Sequence, residues 1–245
     1  MRKLIITFLI LLPVIHLNAQ NYLDVQNKYL APKENGQAFF KSQFVPIVLI
    51  GAGSVMTIGE FKKNIQKAFP NTDISIDDYL PFIPVAELYI SDLAGIEHLN
   101  SVYDQTKYLF LSQFTSILTV EFLKRTIREK RPDGRSFSFP SEHSANAFVN
   151  ATVLYHEFKD SSSFLSYSGF AIATLTSILR VTNDQHWLPD VIAGAGIGIL
   201  VTNLVYYYQP FKSFDPLHIS GKLSDIHIIP QISINNCGFY LSYRF

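Results

Sequence analysis

The chain has 245 residues, enough to bury the core of one domain of ordinary size. Its 20 Lys and Arg residues balance 20 Asp and Glu residues, which excludes the basic excess typical of a nucleic-acid-binding protein. Only 16% of the residues are charged and 48% are hydrophobic, which excludes a disordered chain. The composition therefore predicts helices that are either buried on all sides or surrounded by lipid, and it predicts no nucleic-acid partner.

The N-terminus carries the pattern of an export signal over residues 1–19. Arg2 and Lys3 precede an apolar run at residues 4–15, and the small Ala19 suits a cleavage site. An apolar run of this length is short for a membrane span. We therefore expect a cleaved signal peptide and a mature chain outside the cytoplasm. An uncleaved membrane anchor is the alternative.

Residues 20–43 are polar and predict an exposed lead-in. After them, apolar segments long enough for helices alternate with polar or Pro- and Gly-bearing connections. This pattern predicts an all-α fold, a six-helix bundle over residues 44–212. The predicted helical segments are 45–60, 81–98, 107–123, 144–158, 164–180 and 191–208.

Segment 191–208 is the most apolar and predicts a membrane span, and its small residues at 194–196 and 198 would let another helix approach closely. Segment 81–98 carries prolines and acidic residues, so we expect it not to cross the membrane. The loops that follow residue 123 would then face the cell exterior. The basic cluster after the first segment would face the cytoplasm: Lys62, Lys63 and Lys67.

The tail at residues 213–245 changes its periodicity from helical to alternating. Apolar and polar residues alternate on both sides of residues 235–238, which predicts a short C-terminal β-hairpin. We expect this hairpin to dock on the bundle, because an isolated hairpin is only marginally stable. The alternative is an outer-membrane association signal, since the chain ends in an aromatic residue after an alternating segment.

Charged residues gather at the predicted helix ends. Lys124 and Arg131 are seven positions apart, about two helical turns, and are expected to share a face of a helix that Pro132 ends. Pro140 and Ser141 begin the next helix, whose free backbone N–H groups favour an anion. The pattern predicts a phosphate between the two cations and this helix start.

A third cation and an imidazole follow at the next connection. Arg180 closes the fifth predicted helix, and His186 and Asp190 open the sixth. Their spacing of four lets the Asp190 carboxylate hold one imidazole nitrogen and leaves the other free to act as a nucleophile.

These three stretches resemble the signature of the type 2 phosphatidic acid phosphatase superfamily, which includes lipid phosphatases, bacterial class A acid phosphatases and vanadium haloperoxidases. The signature reads Lys, six residues and Arg-Pro; then Pro-Ser-Gly-His; then Ser-Arg, five residues, His, three residues and Asp. The resemblance covers residues 124–190 and keeps the spacing of all three parts.

The resemblance implies an all-α bundle that hydrolyses a phosphomonoester or pyrophosphate through a phosphohistidine, without a metal or other cofactor. It implies that His186 is the nucleophile, that His143 protonates the leaving alcohol and that Asp190 supports His186. The groups implied to bind the phosphoryl oxygens are the side chains of Lys124, Arg131, Arg180 and Ser141 and the backbone N–H groups of Glu142 and His143.

Two residues depart from the signature: Glu142 stands where it has Gly, and Leu179 where it has Ser. A carboxylate beside a bound phosphate would repel it, so we expect Glu142 to point away or to pair with a cation such as Arg135. The absent serine hydroxyl at position 179 removes at most one contact.

The leading hypothesis is a membrane enzyme whose active site faces the periplasm or cell exterior, acting on a lipid phosphate such as phosphatidate, a polyprenyl pyrophosphate or a lipid A phosphate. The alternatives are a soluble periplasmic acid phosphatase acting on small phosphomonoesters, a vanadate-dependent haloperoxidase and a non-catalytic phosphate-binding protein. A zinc site at His143, His186 and Asp190 is a further alternative. No pattern in the sequence predicts an oligomeric state.

Overall fold

A computed structural model describes residues 36–72 and 74–212, together with the backbone of two strands at residues 226–233 and 236–243. The predicted signal peptide and most of the predicted lead-in lie outside the described residues. The described part is predominantly helical, as the composition predicted.

Short connections join the described helices, and two 3₁₀ turns, Ser75–Asp78 and Leu80–Phe82, precede α4. The helices are α1 (Gly36–Ser42), α2 (Phe44–Met56), α3 (Phe61–Gln66), α4 (Ile83–Leu93), α5 (Val102–Ile127), α6 (Glu142–Phe158), α7 (Ser163–Thr182) and α8 (Leu188–Tyr208).

Two segments differ from their predicted form. In segment 81–98 the α-helix covers only Ile83–Leu93, and Gly95 follows it with a left-handed φ of 74° that ends helical geometry. The end of the stretch predicted to be exposed forms α1. Phe39 of α1 is buried, and its ring stacks on Tyr207 at a centroid distance of 3.8 Å.

The long helices run alternately up and down. At one end Phe39 contacts Tyr207, and at the other Gly53 lies against Ala193, so α2 and α8 are antiparallel. We call the end at which α6 and α8 begin, and α5 and α7 end, the upper end of the bundle. The opposite end, at which α6 and α8 finish, is the lower end.

Helix α8 packs closely against two other helices because it carries glycine at the contacts. A Cβ atom on Gly194 would lie 2.5 Å from the Ser141 carbonyl oxygen at the start of α6. A Cβ atom on Gly196 would lie 2.7 Å from the Pro46 carbonyl oxygen of α2. Both distances are shorter than van der Waals contact, so only glycine permits this packing. The small residues predicted to allow a close helix approach therefore do so.

A buried carboxyl group ties the lower end together. Glu157 of α6 accepts hydrogen bonds from the Tyr206 hydroxyl at 2.6 Å and from the Asn100 backbone N–H at 2.8 Å. Asn100 Nδ2 donates a further bond at 2.9 Å. The network links α6, α8 and the loop before α5, so it holds the lower end as a unit.

Among the described residues, three helical segments are long and apolar enough to cross a membrane: Phe39–Met56, Ser163–Thr182 and Leu188–Tyr208. Helix α4, with 11 residues, is only about 16 Å long, about half the thickness of a hydrocarbon core. Helix α5 exposes a stripe of large apolar side chains at a spacing of four residues: Phe110, Phe114, Leu118 and Phe122. The outer surface of the bundle is therefore strongly apolar.

The basic cluster Lys62, Lys63 and Lys67 lies at the upper end. Lys62 pairs with Glu129 just after α5, and Gln66 Nε2 donates to the Val181 carbonyl oxygen at 2.9 Å. The prediction that these lysines lie across the membrane from the loops after residue 123 was wrong. Helix α2 ends at the upper end, and α4 and α5 then lead the chain down and back to the same end.

Strands β1 (Ile226–Ser233) and β2 (Asn236–Tyr243) pair antiparallel, with Ile226 opposite Tyr243 and Ser233 opposite Asn236. The docking of this hairpin on the bundle stays a prediction.

Candidate active site

The predicted site residues lie at the upper end of the bundle, where four helices start or finish. Lys124 lies in the last turn of α5 and Arg180 in the last turn of α7. Ser141 caps α6, and Asp190 lies in the first turn of α8. Helix termini that meet at one end of a bundle bring these distant parts of the sequence together.

Arg131 lies in a loop and not on the helix that carries Lys124. Helix α5 ends at Ile127 because Arg128 adopts a left-handed φ of 54° and caps it. The expectation that Lys124 and Arg131 share a helical face was therefore wrong. The Arg131 backbone N–H donates instead to the Arg135 carbonyl oxygen at 2.8 Å, which folds the loop back on itself.

The Arg131 guanidinium has no carboxylate partner within ion-pair distance among residues 36–72 and 74–212. Its Nε atom is buried and has no hydrogen-bond partner in that part of the chain. Burial and the nearby charges of Arg135 and Arg180 lower the pKa of Arg131. An anion placed here would meet a guanidinium that makes no close ion pair with the described residues.

The start of α6 presents donors toward the same region. Ser141 is fully buried, its Oγ accepts from the Ser144 N–H at 3.4 Å, and its own N–H donates to the Asp190 carbonyl oxygen at 3.0 Å. The N–H groups of Glu142 and His143 belong to the first turn of α6 and have no partner within the helix. The positive end of the helix dipole adds to their attraction for an anion.

His186 precedes α8 and is almost completely buried. Its backbone N–H donates to the Arg180 carbonyl oxygen at 3.1 Å. Its Nδ1 atom lies 3.5 Å from Asp190 Oδ2, within ion-pair range but longer than an ordinary N–H···O bond. The ring nitrogen that does not face Asp190 is Nε2.

Asp190 is held in place by two hydrogen-bond donors. Its Oδ2 atom accepts from the Trp187 backbone N–H at 3.0 Å and from the Ser138 hydroxyl. Ser138 comes from the loop before α6, so Asp190 connects that loop to the start of α8. Sequence reasoning missed Ser138 because a single serine 52 positions away carries no spacing signal.

The pKa of His186 is lowered well below its ordinary value of 6.5. Burial is the largest cause, followed by the positive charges of Arg131, Arg180 and Lys124 and by His143. The structure places these groups at the upper end of the bundle, where Lys124 and Arg180 end α5 and α7, His143 begins α6 and His186 precedes α8.

Glu142 pairs with Lys124, and its Oε2 atom lies 3.0 Å from Lys124 Nζ. Arg135, the partner that we expected, is occupied by Asp133, whose Oδ2 atom accepts from Arg135 Nε at 2.7 Å. The expectation of a cationic partner was right, but the partner is one of the predicted phosphate-binding residues. A carboxylate thus lies inside the site.

Two further carboxylates enter the site from the 3₁₀ turn Ser75–Asp78. Arg180 Nη1 donates to Asp77 Oδ2 at 2.7 Å, and both side chains are almost completely buried. Asp78 Oδ1 lies 3.0 Å from His143 Nε2 and 3.4 Å from Arg180 Nη1. Sequence reasoning missed both aspartates, because their partners lie 65 to 103 positions away.

Neighbouring groups shift the pKa of His143 in opposite directions. Burial is the largest influence, and together with the charge of Arg180 it lowers the pKa of the imidazole below 6.5. The carboxylates of Asp78 and Glu142 raise it by a smaller amount. His143 is therefore mostly neutral near pH 7 in the empty site, and additional negative charge would favour its protonation.

Trp187 lies beside the site and is fixed from two sides. Its Nε1 atom donates to the Lys130 carbonyl oxygen at 2.7 Å, and Lys62 Nζ lies 5.5 Å from the ring centroid. Together with Pro132 and Asp184, Trp187 lines an open cleft of about 330 Å³. Trp187 therefore forms one wall of a cleft next to the proposed site.

No group of three His, Cys, Asp or Glu side chains suited to a metal ion occurs within residues 36–72 and 74–212. We therefore do not propose a zinc site at His143, His186 and Asp190.

The residues of the proposed site lie within a stretch of the chain that matches a protein family. Residues 105–214 match the PAP2 superfamily. This part of the chain is a PAP2 superfamily domain. The match contains Lys124, Arg131, Ser141, His143, Arg180, His186 and Asp190, and it leaves out the 3₁₀ turn that supplies Asp77 and Asp78.

Three known proteins resemble the chain. A lipid A 1-phosphatase of Porphyromonas gingivalis is 40% identical over 139 residues, which are 56% of this chain and 27% of that protein. The aligned part thus spans about a quarter of the length of that relative.

The crystal structure of LpxE from Aquifex aeolicus is 21% identical with a TM-score of 0.48, covering 59% of this chain and 94% of that one. A transmembrane PAP2-type phosphatidylglycerolphosphate phosphatase from Bacillus subtilis is 24% identical with a TM-score of 0.41, covering 87% and 96%.

Proposed function

We propose that this protein is a membrane phosphatase that removes a phosphate group from a lipid phosphate through a phosphohistidine intermediate, without a metal or other cofactor. The observation that carries the proposal is the position of His186, which is buried and neutral at the end of the bundle where two connections supply three cations. The PAP2 match and the similarity to a lipid A 1-phosphatase support a lipid phosphate as the substrate.

The cations supply the binding energy for the phosphoryl group in this proposal. Lys124, Arg131 and Arg180 neutralise its oxygens, and the Ser141 hydroxyl and the first N–H groups of α6 donate to them. Negative charge spreads over three oxygens in the transition state of phosphoryl transfer. Fixed donors and cations in a buried site stabilise that charge more strongly than water does.

In the first step His186 Nε2 attacks the phosphorus atom, and the bond between phosphorus and the ester oxygen breaks. The lowered pKa of His186 keeps the nucleophilic nitrogen unprotonated. Asp190, 3.5 Å from Nδ1, stabilises the positive charge that develops on the ring. His143 donates its proton to the departing alcohol, because the negative charge of the bound phosphate favours its protonated form.

In the second step a water molecule attacks the phosphorus atom of the phosphohistidine. His143, now neutral, accepts a proton from that water, and the bond between phosphorus and Nε2 breaks. Free phosphate leaves, and both histidines return to their initial states. The same residue therefore serves as acid in the first step and as base in the second.

The test is phosphate release from a panel of lipid phosphates in detergent, with a chelator present. We expect wild-type turnover and a loss of at least about 10³-fold in His186→Ala, because the nucleophile is absent. Acid quenching with ³²P-labelled substrate should trap label on the wild type and none on His186→Ala. Equal turnover by the two proteins would contradict the proposal.

The apolar outer surface favours a membrane enzyme over a soluble acid phosphatase. Three helical segments of the described part can cross a membrane by length and composition, and α5 exposes a stripe of large apolar side chains. We expect the protein to remain in the membrane pellet after a carbonate wash. Recovery in the wash together with rapid hydrolysis of a small phosphomonoester would favour the soluble alternative.

We also propose that the site faces the periplasm or cell exterior. With an export signal at residues 1–19, this orientation requires that α2, which ends at the upper end, does not cross the membrane. A crossing α2 would place the upper end in the cytoplasm, which the basic residues there favour under the positive-inside rule. In a Cys237→Ser background, Lys130→Cys at the upper end should react with an impermeant thiol reagent in intact cells. Ser161→Cys at the lower end should be protected, and the reverse pattern would contradict this orientation.

A further inference from the structure

Glu142 places a carboxylate on one of the cations of the proposed phosphate site. Its Oε2 atom accepts a hydrogen bond from Lys124 Nζ at 3.0 Å. The Lys124 side chain is 8% exposed and that of Glu142 is 36% exposed. The lysine therefore lies inside the site, and the carboxylate reaches it from the rim.

This ion pair is held less firmly than the other carboxylate contacts of the site. Asp77 is buried with Arg180 and also accepts from Asn183 Nδ2 at 3.3 Å, so its position is fixed by two partners. The Glu142 carboxylate has Lys124 as its one hydrogen-bond partner among residues 36–72 and 74–212. Rotation of a single half-exposed side chain is enough to release it.

A phosphoryl oxygen and the Glu142 carboxylate require the same ammonium group. Glu121, the other carboxylate near Lys124, comes no closer than 3.9 Å to Nζ, so it does not occupy the hydrogen-bonding position. An anion that binds Lys124 must displace Glu142 or accept its repulsion at short range. Either event reduces the affinity of the site for the anion.

We propose that Glu142 is a specificity-determining residue that competes with phosphate for Lys124 and so weakens the binding of free phosphate. This inference deepens the proposed function and rests on the phosphate site described there. A lipid ester has additional binding energy from its apolar tail, which does not depend on Lys124. Free phosphate has no such anchor, so the same cost releases the product and small anions while the tail still holds the lipid substrate.

Phosphate binding can be measured without turnover, because Trp187 is the single tryptophan of the chain and adjoins His186. Detergent-solubilised full-length protein is titrated with inorganic phosphate, and the tryptophan fluorescence is recorded. We expect the Kd for phosphate to fall about three- to tenfold in both Glu142→Gln and Glu142→Gly. Glutamine retains the size of the side chain, so thermal melting should show that this variant folds.

The matched control is Glu121→Gln. It also removes one negative charge near Lys124, but it leaves the hydrogen bond between Lys124 and Glu142 intact. We expect less than a twofold change in Kd for this variant. Unchanged phosphate affinity in both Glu142 variants would overturn the inference. An equal effect of Glu121→Gln would also overturn it, since net charge and not competition for Lys124 would then be the cause.

A second readout separates this inference from the proposed function. The Ki of phosphate against lipid phosphate hydrolysis should fall by the same factor as Kd. If the wild type hydrolyses no lipid phosphate but the Glu142 variants bind phosphate more tightly, the inference is supported and the proposed function is contradicted. If the wild type hydrolyses lipid phosphates but the Glu142 variants bind phosphate no more tightly, the proposed function is supported and the inference is contradicted.

Discussion

Asp78 Oδ1 lies 3.0 Å from His143 Nε2 and 3.4 Å from Arg180 Nη1. One carboxylate therefore contacts both the proposed acid in the first turn of α6 and a proposed phosphate-binding residue in the last turn of α7. This contact comes from a turn outside the residues that match the PAP2 superfamily. It makes the protonation state of His143 depend on a part of the chain that the signature does not include.

The pH dependence of wild-type activity follows from the two imidazoles. The proposed mechanism requires neutral His186 and protonated His143, and the pKa of each lies below 6.5 in the free protein, mainly because of burial. As the pH rises, His143 therefore loses its proton and the active fraction of the protein decreases. We expect kcat/KM for a lipid phosphate to be highest below pH 6.5 and to fall toward pH 8. A maximum above pH 8 would contradict this assignment.

Asp78→Asn should move that descending limb to lower pH. The Asp78 carboxylate raises the pKa of His143 against burial and Arg180, and a neutral amide would not. A role confined to stability would lower the amount of folded protein without moving the limb. Glu60→Gln, which removes an exposed carboxylate paired with Lys63, is the control and should leave the profile unchanged. If the pH profile of Asp78→Asn is identical to that of the wild type, Asp78 does not influence the pKa of His143 as proposed.

Asp77→Asn should destabilise the fold strongly. It removes the closer, buried partner of Arg180 and leaves the half-exposed Asp78 carboxylate at 3.4 Å. Breaking a buried ion pair typically costs about 3–5 kcal/mol of unfolding free energy, and the remaining contact should keep the loss near the lower end of that range. Thermal melting in detergent measures the loss. Asp133→Asn breaks a pair with the well-exposed Arg135 and should cost less than about 1 kcal/mol. Equal melting temperatures for the two variants would contradict this prediction.

Gly194→Ala should disrupt the upper end through packing. The added methyl group would lie 2.5 Å from the Ser141 carbonyl oxygen, so α8 must move away from α6. Because Ser141 and Asp190 lie at this contact, we expect lower stability and a loss of phosphate affinity together. Gly51→Ala in α2 meets nothing within 4 Å and should be neutral or stabilising by up to about 1 kcal/mol. Unchanged melting and binding in Gly194→Ala would show that the helices adjust without cost.

Acid should destabilise the fold through His186. The pKa of His186 is lowered in the folded protein, so the unfolded chain binds a proton more readily below pH 6.5. The free energy of unfolding should therefore decrease as pH falls from about 6.5, by up to about 1.4 kcal/mol per pH unit for this group, until the folded-state pKa is reached. Melting temperatures between pH 7 and 5 measure the slope. His186→Asn should have a shallower slope, and an equal slope would assign the effect to other groups.

Much of the upper end could be predicted from the sequence because its signals are local. The period of apolar residues located the helical segments, and the glycines of α8 predicted its close contacts. The spacing of Lys124, Arg131, Arg180 and His186 indicated a single anion site, and the structure places these residues at the same end of the bundle. Each of these signals depends on residues a few positions apart or on a spacing that recurs in a known signature.

The tertiary structure alone decided which charges pair. Asp77 and Asp78 reach Arg180 across about a hundred positions, and Lys62 joins the same end because α4 and α5 return the chain to it. Glu142 pairs with Lys124 and not with Arg135, because the loop places Asp133 beside Arg135. Ion pairing depends on distances of a few ångströms, and these distances are set by the packing of whole helices. The residue types at the site could therefore be predicted from the sequence, whereas their ion-pair partners could not.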